Sequence, residues 1–303
     1  MESFNVQGHH KSWFDRNGFP PWLIALVWVV LSFLLFQGIG SVVALLLIFY
    51  KEGAVNEQAL VQNPEILLIG NSVGQILGLA VATLIIARLS ALPFEYRSFL
   101  RLEAPKGTLK LTGFSVLLVI VVQPSIWLFS WLNQQFPLPE SWIEMESIQL
   151  ELLETLFMSG IPLWFMIFSI AVVPAVCEEI MFRGYVMRLL EKSSGVILAI
   201  LLSGLIFGLF HLRITQLIPL SLIGMLLGWV TIKTGSLYPA VIMHFVHNGA
   251  TVLAVHFYPQ LLEVDTTDAL PPWWLIIFSF VLTGYFIYLF SRITANQKES
   301  GYV

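Results

Sequence analysis

Eight long runs of apolar residues, separated by shorter polar segments, dominate the chain. Each is close to the roughly 17–25 residues that a helix needs to cross a hydrocarbon core of about 30 Å. The runs cover Pro21–Tyr50, Ile66–Leu89, Leu111–Leu132, Pro162–Leu190, Val196–Leu212, Leu217–Lys233, Tyr238–Phe257 and Trp273–Ile293. The pattern therefore predicts an all-α protein, built as a polytopic bundle of about eight transmembrane helices.

The composition supports this prediction. Of the 303 residues, 57% are hydrophobic and only 11% are charged, more apolar surface than a soluble domain of this length buries. The first run follows a polar stretch and is too long for the apolar part of a signal peptide, so we expect it to remain a membrane helix. A single cysteine, Cys177, excludes an intramolecular disulfide and a cysteine metal cluster. The expected partner is the lipid bilayer, and no nucleic acid is expected.

The basic residues are distributed unequally between the two sides of the predicted bundle. Eight spans place both termini on one side, and only Lys51 and Arg213 fall on the other. The basic residues on the side of the termini are Lys11, Arg16, Arg88, Arg97, Arg101, Lys106, Lys110, Arg188, Lys192, Lys233, Arg292 and Lys298. Because Lys and Arg accumulate in cytoplasmic loops, we expect both termini in the cytoplasm. The acidic loops, which contain Glu140, Glu144, Glu146, Glu151, Glu154, Glu263, Asp265 and Asp268, then lie outside.

Two adjacent carboxylates, Glu178 and Glu179, lie inside the fourth predicted span. Charged side chains in a membrane span are rare and usually face a protein interior or a wet cavity, so they are candidates for a functional site. Successive helical residues point about 100° apart, and residues four apart share a face. Arg183 follows Glu179 by four residues. We therefore predict a structural ion pair between Glu179 and Arg183, which leaves Glu178 free for acid–base chemistry.

Two other spans carry ionisable or amide side chains. His211 lies in the fifth span, four residues after Phe207, and we expect it at or near the middle of the membrane. His244 and Asn248 share a face of the seventh span, and His247 points partly away from them. A carboxylate and an imidazole can polarise a water, and a second imidazole and an amide can stabilise an oxyanion, which together permit peptide hydrolysis. Glu178, His211 and His244 match equally well the ligand types of a catalytic zinc site. Residue types alone leave both chemistries open.

Three ordered motifs resemble those of the CaaX-protease and bacteriocin-processing (CPBP, or Abi) family of intramembrane proteases. The motifs are Glu178-Glu179-x-x-x-Arg183, Phe207-x-x-x-His211 and His244-x-x-x-Asn248. The resemblance covers about Pro162–Phe257, and the segments Phe182–Tyr185 and Lys233–Leu237 are similar to bacterial members.

The resemblance implies an intramembrane endopeptidase of the glutamate type, in the inner membrane of a bacterial cell. It implies that Glu178 and His211 activate the water, that His244 and Asn248 bind the oxyanion, and that Glu179 and Arg183 support the helix. No cofactor is expected, with zinc on Glu178, His211 and His244 as the alternative. The substrate would be a peptide or membrane protein, and prenyl-processing members of the family act on lipidated ones.

Two other functions are consistent with the same residues. A membrane immunity or scaffold protein of this fold would act by binding alone. A proton-coupled transporter would use membrane Glu and His residues as a relay, but it favours repeated halves with broken helices, and the sequence shows no such repeat.

The chain divides into four predicted parts. Residues 1–110 hold the N-terminal cytoplasmic segment and two spans, and residues 111–160 hold the third span and an outer amphipathic segment. Residues 161–257 form the catalytic core, and residues 258–303 hold the last span and the C-terminal tail. For the amphipathic segment, the simpler interpretation is an interfacial linker helix without a role in chemistry.

Overall fold

A computed structural model of the chain describes residues 11–261 and 270–299, which form helices and connecting turns without a β-strand. The long helices are α2 (Pro21–Glu52), α4 (Pro64–Ser90), α6 (Thr108–Gln134), α7 (Glu140–Met158), α8 (Leu163–Ser194), α9 (Val196–Phe210), α10 (Leu217–Thr234), α11 (Tyr238–Phe257) and α12 (Trp273–Glu299). The short ones are α1 (Trp13–Arg16), α3 (Glu57–Gln62) and α5 (Tyr96–Phe99). The predicted fold class is confirmed, while Glu263, Asp265 and Asp268 lie outside the described residues.

Hydropathy and length identify most of the predicted spans in the structure. Within the described residues, six helices are long and apolar enough to cross a membrane, and α6 makes a seventh if its two parts are one span. The parts, Thr108–Val121 and Gln123–Gln134, meet at an angle of 45°. Pro124 accounts for the bend, because it has no N–H to donate to the carbonyl four residues earlier and its ring presses against that carbonyl.

The fifth predicted span, α9, is shorter than a membrane is thick. It has 15 residues, which at 1.5 Å each make a helix of roughly 22 Å. It starts directly after α8, because a single residue, Gly195, turns the chain with φ of 79°, a value that glycine adopts without strain. His211 caps the other end of α9 rather than lying inside a helix. The chain therefore turns back within the depth of the bundle, at a candidate site residue.

Helix α8 is the centre of the bundle. In its most apolar stretch, 61% of the residues are buried inside the protein, against 11% for α12. One apolar cluster joins α8 to α2, α4 and α9, around Trp28, Leu79, Phe182 and Phe207. A second cluster joins α6, α10, α11 and α12. Polar side chains of α8 reach across from the first cluster to helices of the second.

Helices α9 and α10 approach each other closely through small residues. A side-chain carbon on Gly204 would lie 2.7 Å from the Met225 backbone nitrogen, and one on Gly224 would lie 3.0 Å from the Gly204 Cα. Small residues allow such contact between membrane helices. The close packing brings the α9 end that carries His211 against the start of α10.

Candidate active site

Glu178 and Glu179 lie near the middle of α8, between two π-helical segments. The segments cover Phe168–Val172 and Ile180–Val186, and the α-helical stretch between them covers Val173–Glu179. A π-helical turn contains an extra residue, and such turns are frequent at functional sites. They change which side chains share a face, so the regular spacing used for sequence prediction does not continue unbroken through α8.

Glu179 and Arg183 form the predicted ion pair. Arg183 Nη1 lies 2.9 Å from Glu179 Oε1, and both side chains are completely buried. Arg183 Nη2 donates to the Gly224 carbonyl of α10 at 2.8 Å, and the guanidinium carbon lies 4.5 Å from the centre of the Phe207 ring. A buried guanidinium requires such partners, because an unpaired charge in this environment is strongly destabilising. The pair thus joins α8 to α9 and α10.

Glu179 also binds His244, a contact that the sequence did not reveal. His244 Nδ1 lies 2.9 Å from Glu179 Oε1. Because the carboxylate only accepts hydrogen bonds here, Nδ1 carries the proton, and a neutral His244 has a bare Nε2. Glu179 therefore fixes the orientation of an imidazole on α11, in addition to its role in the helix α8.

Glu178 has a different environment from Glu179. The Oε2 atoms of both acids are buried without a direct hydrogen-bond partner among the described residues, but Glu178 lacks the 2.9 Å contacts that Glu179 Oε1 makes with Arg183 and His244. The cationic or potentially cationic atoms nearest to Glu178 Oε2 are His211 Nε2 at 3.9 Å and His244 Nε2 at 4.0 Å. These separations are too long for a hydrogen bond. The distance from Glu178 Oε2 to His211 Nε2 fits one water that bonds to both of these atoms. The structure brings Glu178, His211 and His244 together, as their predicted roles require.

His211 is fixed by its own helix. Its Nδ1 lies 2.8 Å from the Phe207 carbonyl oxygen, and its ring packs on the Phe207 ring at 4.8 Å between centroids. A carbonyl can only accept, so Nδ1 donates and the neutral ring presents an unprotonated Nε2 to Glu178. The Phe207-x-x-x-His211 spacing noted in the sequence therefore has a physical basis at the end of α9.

Asn248 bonds to two acceptors through one nitrogen. Its Nδ2 lies 3.2 Å from the Ile170 carbonyl oxygen and 3.2 Å from His244 Nε2. Pro174, four residues after Ile170, has no N–H to donate to this carbonyl. The sequence contains this signal, in the spacing of Pro174 from Ile170, but only the fold shows that Asn248 uses it.

Two candidate side chains lie apart from this group. His247 Nδ1 lies 3.2 Å from Gln123 Nε2, at the bend of α6. Cys177 is buried in the apolar cluster around α8. Neither contributes an atom to the space between Glu178 and His211. The catalytic roles of Glu178, His211, His244 and Asn248 remain predictions.

The zinc alternative requires at least three side chains that converge on one point at about 2.0–2.2 Å. Within residues 11–261 and 270–299, no group of three His, Cys, Asp or Glu side chains is arranged to hold a metal ion. In addition, Asn248 already occupies the face of His244 Nε2 that a metal would need. The side chains as placed therefore do not fit a metal.

Comparison with known proteins identifies one family. Residues 160–250 match the family model described as type II CAAX prenyl endopeptidase Rce1-like. The match extends from just before α8 to Ala250 in α11 and includes each motif that carried the resemblance. The resemblance to the CPBP family is confirmed over this segment. No curated protein and no solved structure matches the chain.

Proposed function

We propose that this chain, whose residues 160–250 match the CAAX prenyl endopeptidase family, is an intramembrane endopeptidase that hydrolyses a peptide bond with a water activated by Glu178 and His211. One observation carries the proposal. Among the residues that the structure describes, the buried Glu178 Oε2 has no direct hydrogen-bond partner, and it faces two imidazole Nε2 atoms at 3.9 and 4.0 Å. A buried acid left without a structural partner is typical of a functional site.

The charge balance among Glu178, Glu179, Arg183, His211 and His244 supports the assignment of one further proton. With neutral imidazoles, the Arg183 guanidinium faces two carboxylates, which leaves a net charge of −1 in a buried site. One added proton neutralises the cluster and removes the desolvation penalty of the excess charge. His244 lies between Glu179 Oε1 at 2.9 Å and Glu178 Oε2 at 4.0 Å. We assign the added proton to His244, and His211 remains neutral.

In the first step, Glu178 acts as the base. The water bonds to Glu178 Oε2 and His211 Nε2, and it transfers one proton to Glu178 while its oxygen attacks the scissile carbonyl carbon. His211 orients the water, because its Nδ1–H is committed to the Phe207 carbonyl and its Nε2 can only accept.

Protonation of His244 prepares two donors for the oxyanion. A protonated Nε2 donates a hydrogen bond and no longer accepts the one from Asn248. That Asn248 N–H is then available, while the other stays on the Ile170 carbonyl. Two donors placed for the developing negative charge stabilise the transition state.

The proton held by Glu178 then passes to the amide nitrogen of the intermediate, and the C–N bond breaks. The second proton of the water stays with the new carboxyl group. One water is consumed for each bond cleaved, and the enzyme returns to its initial protonation state.

The experiment uses the full-length protein, purified and reconstituted in liposomes. The substrate is a peptide that ends in a prenylated CAAX sequence, and mass spectrometry identifies the product. We expect cleavage by the wild type, retained in a strong chelator, and at least a 10²-fold lower rate for His211→Ala. The matched control is His256→Ala, since His256 is exposed at the end of α11.

Two results would contradict the proposal. Loss of cleavage in chelator with recovery on adding zinc would establish a metal enzyme. A folded wild type that cleaves neither this peptide nor any protein of a native membrane fraction would leave a binding function in place of catalysis.

A further inference from the structure

Helix α7 carries one carboxylate with an environment unlike that of the others. Glu146 is only 4% exposed, whereas Glu144, Glu151 and Glu154 on the same helix are exposed. Its Oε1 accepts a hydrogen bond from the Thr215 backbone N–H at 3.0 Å, and its Oε2 accepts one from the Thr215 hydroxyl. A buried carboxylate on a helix whose other acids are exposed indicates a specific role for that position.

The partner of Glu146 belongs to the turn that carries His211. Thr215 lies in a 3-10 turn, Ile214–Gln216, four residues after His211 and immediately before α10. Leu212, between them, has φ of 53° without being glycine. A side-chain-bearing residue in this region is strained, and such strain persists only where surrounding contacts hold the backbone.

Asn133, near the end of α6, holds the same turn from another direction. Its Nδ2 donates to the Ile214 carbonyl at 2.8 Å, and its Oδ1 accepts from the Ile218 N–H at 2.7 Å. The turn after His211 is therefore held by side chains of the two helices that precede α8. Neither contact could be predicted from sequence spacing, because Glu146 and Thr215 are 69 residues apart and Asn133 and Ile214 are 81 residues apart.

Arg213 adds an electrostatic component to this contact. Burial lowers the pKa of the Arg213 guanidinium below its usual value, and the nearby Glu146 carboxylate opposes that change. Its Nε is buried without a hydrogen-bond partner among the described residues. Removal of the Glu146 charge would leave Arg213 with less compensation and would weaken the whole turn.

We propose that Glu146 is a positioning residue for His211, acting through the Thr215 turn. The inference rests on the proposed function, because it assigns to α7 the task of holding the water-orienting imidazole at its distance from Glu178. The helix that the sequence suggests is a linker thereby becomes part of the active-site support. Within α9, His211 contacts Phe207 through its Nδ1 atom and its ring, and the path of the chain after it also sets where the ring lies.

The test compares Glu146→Ala with Glu144→Ala, a matched control on the exposed face of α7. We expect Glu146→Ala to lower kcat roughly 10–10²-fold with KM changed less than about 2-fold, since a displacement of about 1 Å has effects of this size. Glu146→Gln keeps an acceptor for the Thr215 N–H and should lose less. Thr215→Val, which keeps the backbone bond and removes the hydroxyl, should also be intermediate.

Hydrogen–deuterium exchange provides a readout that does not depend on proteolysis. Glu146→Ala should speed exchange in residues 211–218, where the Thr215 N–H loses its acceptor, and Glu144→Ala should not. Wild-type exchange in Glu146→Ala would overturn the inference, as would faster exchange with unchanged kcat. If the wild type proves inactive on every substrate, the proposed function fails, and the exchange result still decides whether Glu146 holds the turn. If Glu146→Ala does not fold, the same comparison is made with Glu146→Gln.

Discussion

The two sides of α8 occupied by Glu178 and Glu179 differ in how they satisfy a buried charge. Glu179 is fully buried and binds both Arg183 and His244 at 2.9 Å. Glu178 is 7% exposed, and its Oε2 has no hydrogen-bond partner among the described residues and lies 3.9 and 4.0 Å from two imidazole nitrogens. Burial alone therefore does not distinguish a structural acid from a reactive one, and the hydrogen-bond partners do. The side whose acid binds Arg183 and His244 directly holds the fold, and the side whose acid has no such direct partner is suited to chemistry.

The largest expected effect comes from a substitution of Glu178. Glu178→Gln preserves the shape and removes the base, so the cleavage rate should fall roughly 10²–10⁴-fold while the unfolding temperature stays unchanged. Peptide cleavage and thermal unfolding in detergent measure the two quantities. Glu154→Gln, on the exposed face of α7, is the control. Wild-type cleavage by Glu178→Gln would show that Glu178 is not the catalytic base.

For the Glu179–Arg183 pair, the expected effect is on the stability of the fold. Arg183→Met leaves the Glu179 carboxylate buried without its guanidinium partner, which should lower the free energy of unfolding by about 3–5 kcal/mol. Lys51→Met breaks an ion pair to Glu65 whose side chains are 50% and 38% exposed, and it should change stability by less than about 1 kcal/mol. Equal effects of both substitutions, measured by denaturant titration, would mean that the buried pair adds no more than a surface pair.

Asn248 bonds to His244, the imidazole that lies between Glu178 and Glu179, so its substitution tests how the two acids are connected. Asn248→Ala removes one proposed oxyanion donor, so kcat should fall roughly 10²–10³-fold with little change in KM. Thr251→Ala, one turn later on an exposed position of α11, should leave kcat near the wild-type value. A rise in KM without loss of kcat would instead assign Asn248 to substrate binding.

The smallest expected effect is in the packing of α9 on α10, away from both carboxylates. A Cβ on Gly204 would lie 2.7 Å from the Met225 nitrogen and 2.9 Å from the Ser221 carbonyl oxygen, so Gly204→Ala should destabilise by roughly 1–3 kcal/mol. Gly113, in α6, has no atom within 4 Å of its added carbon. Gly113→Ala should therefore have no measurable effect on the midpoint of unfolding. No difference between the two variants would show that α9 and α10 can separate freely.

The sequence predicted the bundle because apolar run length is a local property, and it predicted the Glu179–Arg183 pair because four-residue spacing is also local. It placed α9 within two residues of its observed end but counted it as a full span, and it did not predict the π segments of α8. The His244–Glu179 and Glu146–Thr215 contacts join residues 65 and 69 positions apart. Such pairs require the fold.

An experimental density map of the wild-type protein in lipid, at a resolution that shows ordered water, tests the role of Glu178 most directly. We predict one oxygen-sized peak about 2.8 Å from both Glu178 Oε2 and His211 Nε2, without anomalous signal at the zinc edge. A zinc signal between Glu178, His211 and His244 would contradict the metal-free mechanism. A Glu178 carboxylate hydrogen-bonded directly to a protein donor, as Glu179 is, would contradict the distinction between the two acids.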